Sequence, residues 1–193
     1  MRFCPRSIGE EKSPRSRASM HNGGKLLQRG EIGGQAREVG FSLDSLDDTI
    51  LVKTSRLRGL EIDPEARTAR AEAGVLWEEV SMAAAEHGLA GLAGSAPDVG
   101  VVGYTLGGGL GWLARRYGLA ANSVVAVELV TAEGRRVRAD RDHEPDLFWA
   151  VRGGGGSFGI VTAIEFVLYP VPEVYAGALF FPFERAGEIL NTW

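Results

Sequence analysis

Cysteine is nearly absent. Cys4 is the sole thiol, so the chain has no disulfide framework and no cysteine-based metal site. Histidine is scarce too: His21, His87 and His143 are scattered without metal-ligand spacing, and no metal is expected. Excess positive charge is missing. The net charge is −4 and no basic stripe interrupts it, which argues against a nucleic-acid partner. No apolar run reaches the roughly 20 residues of a membrane span, so no membrane partner is expected. The basic N-terminus is not followed by an apolar stretch, so no signal peptide is expected and the default is a soluble cytoplasmic protein.

What the chain has in quantity is glycine, 27 of 193 residues, and it concentrates in two tracts of the second half. Residues 103–112 read Gly-Tyr-Thr-Leu-Gly-Gly-Gly-Leu-Gly-Trp. Residues 146–162 read Asp-Leu-Phe-Trp-Ala-Val-Arg-Gly-Gly-Gly-Gly-Ser-Phe-Gly-Ile-Val-Thr. Dense glycine with apolar residues on either side is not a flexible linker. It marks backbone that comes close to something and offers it N–H groups. The tracts therefore read as walls of a cofactor site. The competing reading assigns these glycines only to tight turns and close strand packing. Hydrophobic residues make up 45% of the chain, enough for a core, and the length favours one domain or a two-lobed one.

Local patterns predict the elements. Residues 1–20 are polar and carry Arg2, Arg6, Lys12, Arg15 and Arg17, a composition expected of a disordered or non-native leader. Residues 21–40 show no period. Residues 49–53 read as a short strand. Residues 59–73 read as a hairpin turning at Pro64. Residues 75–87 read as a helix with Leu76, Val80 and Ala83 on its core face and Gly88 as its stop. A loop over 91–98 leads into the first tract. Residues 124–131 and 136–139 form a second hairpin, 144–151 a helix with Pro145 in its first turn, and 160–169 a strand ending at Pro170. A further strand is expected over 176–181 and a helix from Phe183 onward. Strands outnumber helices and hairpins are common, so the fold class is α+β. Trp77, Trp112 and Trp149 are assigned to the core, Trp112 lying near the proposed site.

Several motif readings fail. Gly154-x-Gly156-x-x-Gly159 matches G-x-G-x-x-G, but a helix precedes it and β-branched residues follow, the reverse of a dinucleotide-binding βαβ turn. A nicotinamide-dependent dehydrogenase is disfavoured for that reason. Gly24-Lys25 is followed by Leu26, so no P-loop forms. Ser95 and Ser157 lack a nucleophile elbow. His87 is assigned to a helix C-terminus, His143 to a loop or cap, and Asp146 to the first turn of its helix.

Taken in order, Phe41-Ser42-Leu43, the 50–74 hairpin region, the 94–112 loop, Tyr117-Gly118-Leu119, the 127–134 strand and turn, and the 146–162 tract resemble one family. It is the FAD-binding domain of vanillyl-alcohol-oxidase-type (PCMH-type) flavoproteins, close to the berberine-bridge-enzyme-like oxidases. The resemblance runs from about residue 40 to residue 170. It implies a domain of two α+β subdomains holding an elongated FAD, the first subdomain incomplete here. It also implies the cofactor-binding residues. Ser95, Asp98, Val99, Gly100, Gly103 and Tyr104, with Gly107, Gly108, Gly109 and Gly111, belong to the loop beside the flavin ring, ribityl chain and pyrophosphate. Gly156, Gly159, Ile160 and Val161 belong to the stretch towards the nucleotide end. The implied activity is hydride transfer from a small organic substrate to flavin and then to O2.

The chain departs from the family pattern in three places. The histidine of a Gly-Gly-His loop is replaced by Gln35 or Ala36, depending on the side from which one counts. Ala96 stands where some relatives have a cysteine. FAD is therefore expected to be non-covalent. The third departure is length. The expected organisation is a leader over 1–39, the FAD-binding domain over 40–172, and the start of a truncated substrate domain over 173–193. Because the family's catalytic base comes from later segments, no catalytic residue is assigned. A truncated or frame-altered product is the expectation for the ends. The alternative function is a non-catalytic flavin-domain remnant or binding module.

Overall fold

A computed structural model of the protein describes residues 18–19, 49–50, 52–177 and 179–192. The expected leader, apart from Ala18–Ser19, and the Gln35/Ala36 loop lie outside the described residues. Ala18–Ser19 (β1) pairs antiparallel with Thr49–Ile50 (β2). The latter is shorter than the strand expected over 49–53, since Val52 and Lys53 are not in it.

Leu60–Asp63 (β3) and Thr68–Glu72 (β4) form the first hairpin, with Leu60 opposite Ala71 and Asp63 opposite Thr68. Pro64 sits in the turn, where the Asp63 carboxylate accepts the N–H of Ala66 at 2.8 Å. Trp77–Ala85 (α1) begins where the Glu79 carboxylate reaches back to accept the Leu76 N–H at 2.8 Å. Gly88 ends this turn of the chain at φ +66°. The buried face of α1 is Trp77, Val80 and Ala84, not the expected Leu76, Val80 and Ala83. Trp77 is the largest apolar group on the helix, and its burial sets the rotation.

The first tract is not all loop. Val101–Leu106 (α2) is helical through Gly103, because Val101, Val102, Thr105 and Leu106 are buried together. Their packing outweighs the weak helix propensity of glycine. Ala114–Tyr117 (α3) and a single-turn helix at Ala120–Ser123 follow. Val124–Val130 (β5) and Arg136–Asp140 (β6) form the second hairpin. Pro145–Gly154 (α4) starts at Pro145 and leaves helical geometry at Arg152 and Gly153. Ile160–Val167 (β7) is the last strand.

The five strands of the main sheet run in the order β3-β4-β7-β5-β6, each pairing antiparallel. β7, last in sequence, is central. The core lies where α1, α2 and α4 pack on the sheet, with Trp77, Leu129, Ile164 and Leu168 buried. The opposite sheet surface carries a cross-strand ladder of charge. Arg70 donates to both carboxylate oxygens of Glu128 at 2.9 Å, and Arg138 to Glu165 at 2.8 Å.

Two expectations do not hold. No strand forms among the described residues of 176–181; Leu179 and Phe180 are 85% and 92% exposed. No neighbouring strand pairs with this segment, and an unpaired strand is not stable in water. Trp112 and Trp149 are exposed, unlike Trp77: Trp149 is on the outer side of α4, and Trp112 lies in the turn before α3. The expected helix at the end is present as a turn at Phe183–Arg185 running into Ala186–Thr192 (α5).

Candidate cofactor site

α2 packs against α4 and against the single turn Gly155–Phe158, so the two glycine tracts meet on one side of the molecule. The first tract leaves α2 at Gly107, whose N–H still bonds to the Gly103 carbonyl at 3.3 Å. Gly108 and Gly109 then take φ of +105° and +72°. Their carbonyls are clamped from outside the tract: Gly108 accepts the Ala121 N–H at 3.0 Å and Gly109 accepts the Ala120 N–H at 2.9 Å. A Cβ at buried Gly109 would lie 2.5 Å from the Ala120 Cβ and 2.7 Å from the Tyr104 ring. A Cβ at Gly111 would run into the carbonyl of Ala93. At Gly107 the same group would make only ordinary contact, at 3.5 Å.

In the second tract Gly159 is held by packing, since a Cβ there would lie 2.6 Å from the Val130 carbonyl oxygen. Gly153 and Gly155 differ. They take φ of +108° and +69°, and nothing lies within 4 Å of the added carbon. Gly156 is in the Gly155–Phe158 turn. Ile160 and Val161 are already in β7, opposite Val130 and Leu129 of β5. Arg152 lies with its guanidinium 4.1 Å from the Phe148 ring and donates from Nε to the Phe148 carbonyl at 3.2 Å.

The remaining predicted residues surround α2. Ser95 and Asp98 are exposed. The Val99 carbonyl accepts the Trp77 N–H at 2.9 Å, and buried Gly100 forms a bridge with Leu76. Gly103 is on the exposed side of α2. The Tyr104 ring turns inward to meet Trp77 edge-on, centroids 5.7 Å apart. Burial pushes its phenol pKa up. The Tyr104 hydroxyl, Trp77 Nε1 and Thr105 Oγ1 are buried without a hydrogen-bond partner. His143 and Asp146 take their expected structural places: the His143 ring lies 3.0 Å from the Asp140 carboxylate, and Asp146 is in the first turn of α4.

Sequence reading missed the groups that hold the first tract in shape: the Ala93 carbonyl and the amides of Ala120 and Ala121. The only signal for the latter was the neighbouring Tyr117-Gly118-Leu119 turn. Among the described residues the amides of Gly109, Leu110, Gly111 and Trp112 donate to no protein acceptor. They form a run of free donors on a clamped loop, and they suit a cofactor gripped through its oxygens by backbone. No cluster of metal-binding side chains exists among the described residues, and no described helix is long and apolar enough to cross a membrane. The residues present thus fit a large, oxygen-rich cofactor such as FAD.

Comparison with known proteins agrees. Residues 32–140 match the FAD binding domain family. The chain is 40% identical over 127 residues to (R)-6-hydroxynicotine oxidase of Paenarthrobacter nicotinovorans, covering 66% of this chain and 28% of that protein. It superposes on the berberine-bridge-enzyme-like protein 1 of Physcomitrella patens with TM-score 0.60 and 33% identity, over 62% of this chain and 26% of the other. Glucooligosaccharide oxidase of Acremonium strictum, with its 6-S-cysteinyl, 8α-N1-histidyl FAD, gives TM-score 0.57 and 33% identity over 60% of this chain and 24% of that one. The chain therefore spans about a quarter of the length of the relatives it matches. On fold, site and similarity together, it belongs to the FAD-binding domain family of vanillyl-alcohol-oxidase-type flavoproteins, with berberine-bridge-enzyme-like oxidases among its relatives.

Proposed function

We propose that this chain is the FAD-holding part of an FAD-linked oxidoreductase that oxidises a small organic substrate and uses O2 as electron acceptor. The observation that carries this reading is the run of unpartnered amides at Gly109, Leu110, Gly111 and Trp112 on a loop whose carbonyls are clamped. When bound, FAD supplies the redox chemistry, accepting hydride at its N5 and delivering electrons onward. The protein's part is to bind and orient. The free amides donate to cofactor oxygens, and Gly107 and Gly108 keep side chains out of the approach. Ser95, Asp98, Val99, Gly100 and Gly103 extend the same wall. Gly156, Gly159, Ile160 and Val161 support the nucleotide end through backbone contacts.

Binding is non-covalent in this reading, because Ala96 has no thiol and neither Gln35 nor Ala36 has an imidazole. Residues 173–193 are the start of the substrate-binding part. The visible spectrum of the purified chain, with added FAD and after acid precipitation, tests this. Flavin bands released to the supernatant support it. Bands retained in the pellet overturn non-covalent binding, and no bands at excess FAD overturn the flavin reading.

A second reading is favoured by the exposed Tyr175, Leu179, Phe180, Phe183 and Leu190 after the last strand. In it, the chain is a flavin-domain remnant or binding module with no turnover by itself. An FAD-loaded chain that consumes no O2 with alcohol or sugar substrates would support this second reading over the first.

A further inference from the structure

Two segments, the 91–95 loop and the 109–111 stretch, close on the ring of Tyr104. A Cβ at Gly94 would lie 3.1 Å from Cε2 of the Tyr104 ring, and one at Gly109 would lie 2.7 Å from Cε1. A Cβ at Gly111 would lie 3.0 Å from the hydroxyl. The ring thus occupies the space that glycine at 94, 109 and 111 leaves free. Behind it an aromatic column continues to the sheet. Trp77 meets Tyr104 edge-on at 5.7 Å and Phe166 of β7 at 5.5 Å. Trp77 in turn closes on the 91–95 loop, where a Cβ at Gly91 would lie 2.6 Å from its ring.

We propose that Tyr104 is the positioning residue of the cofactor loop, its ring transmitting the rigidity of the central strand through Trp77 to the amides of Gly109–Trp112. This rests on the FAD reading above and deepens it. Tyr104 then acts from beneath the loop, by shape, and does not itself grip the cofactor. The hydroxyl has no protein partner. Phenylalanine at this position is therefore expected to keep the loop in place, whereas alanine leaves a hole into which the loop sinks, and the donors lose their fixed positions.

The test combines amide hydrogen exchange of the cofactor-free chain with FAD titration followed by flavin fluorescence, for Tyr104→Phe, Tyr104→Leu, Tyr104→Ala and a core control, Val80→Ala. In Tyr104→Ala, exchange of the Ala114, Ala120 and Ala121 amides, which donate to the loop's carbonyls, is expected to rise about tenfold or more while β5 and β7 stay protected. FAD affinity should fall by about tenfold, and by more than in the control. Tyr104→Phe should restore both to within about threefold of the parent. If Tyr104→Ala does not fold, Tyr104→Leu takes its place, since it removes the ring's far edge but keeps apolar volume.

Uniform loss of protection across the sheet, an affinity loss no greater than that of Val80→Ala, or failure of Tyr104→Phe to rescue would each overturn the proposal. If the parent chain binds no FAD, the flavin reading fails. The exchange pattern alone then decides whether Tyr104 positions the loop.

Discussion

A methyl group added at Gly109 or Gly111 of the first tract would collide with the protein itself, whereas one added at Gly153 or Gly155 of the second would meet nothing within 4 Å. The two tracts share a composition and use it for different reasons. In the first, glycine lets three loops approach until backbone touches backbone and side chain. In the second, Gly153 and Gly155 supply a positive φ where the chain turns out of α4. Close approach is a property of the neighbours; positive φ is a property of the residue's own backbone. Gly109 and Gly111 should therefore be intolerant of any side chain. Gly153 should tolerate side chains that accept a positive φ.

Four substitutions grade this contrast. Gly111→Ala should be the most damaging, at about 3 kcal/mol of unfolding free energy by denaturant titration, because the obstacle is the Ala93 carbonyl and cannot rotate away. Gly109→Ala should follow at about 2 kcal/mol, adding a positive-φ cost to the clash with Ala120. Gly153→Ala should cost about 1 kcal/mol, the backbone penalty alone. Gly153→Asn should cost less than Gly153→Ala, because asparagine tolerates a positive φ with ψ near zero more readily. A Gly153→Ala chain as unstable as Gly111→Ala would erase the distinction.

The smallest effect calibrates the others from a distance. Glu128→Gln, on the charged sheet surface, should cost roughly 0.5–1 kcal/mol at neutral pH. The Arg70 hydrogen bond holds the Glu128 carboxyl below its ordinary 4.5. A carboxylate lowered on folding stabilises fully above its unfolded pKa and ceases to do so as pH falls through the folded one. The gap between parent and Glu128→Gln should thus be constant near neutrality and close below about pH 4.5. A gap that widens in acid would contradict the pairing.

Much of the fold was legible from local chemistry. Pro64 marked the first hairpin turn, Pro145 the start of α4 and Gly88 the end of the α1 turn. What was illegible depended on partners distant in the chain. α2 forms through Gly103 because Val101, Val102 and Leu106 find a core, which propensity alone does not reveal. The apolar run over 176–181 has strand-like composition, and its described residues have no strand to pair with. Trp77, Trp112 and Trp149 are equally apolar, and only Trp77 faces inward. In the site, the family resemblance selected the loops. It could not separate residues that offer free amides, such as Gly109 and Gly111, from Tyr104, whose ring lies behind them.

Residue order alone settled the α+β class, the two hairpins, the helices that begin or end at proline and glycine, and the identity of the glycine tracts. Each of these depends on backbone preferences and on neighbours within a few residues. Only the tertiary structure decided that β7 lies between β4 and β5 and that Ala93 and Ala120 press on Gly111 and Gly109. It alone joined Phe166, Trp77 and Tyr104 in a column. Those facts come from contacts between distant segments, and such contacts form only when the whole core closes and apolar surface leaves water.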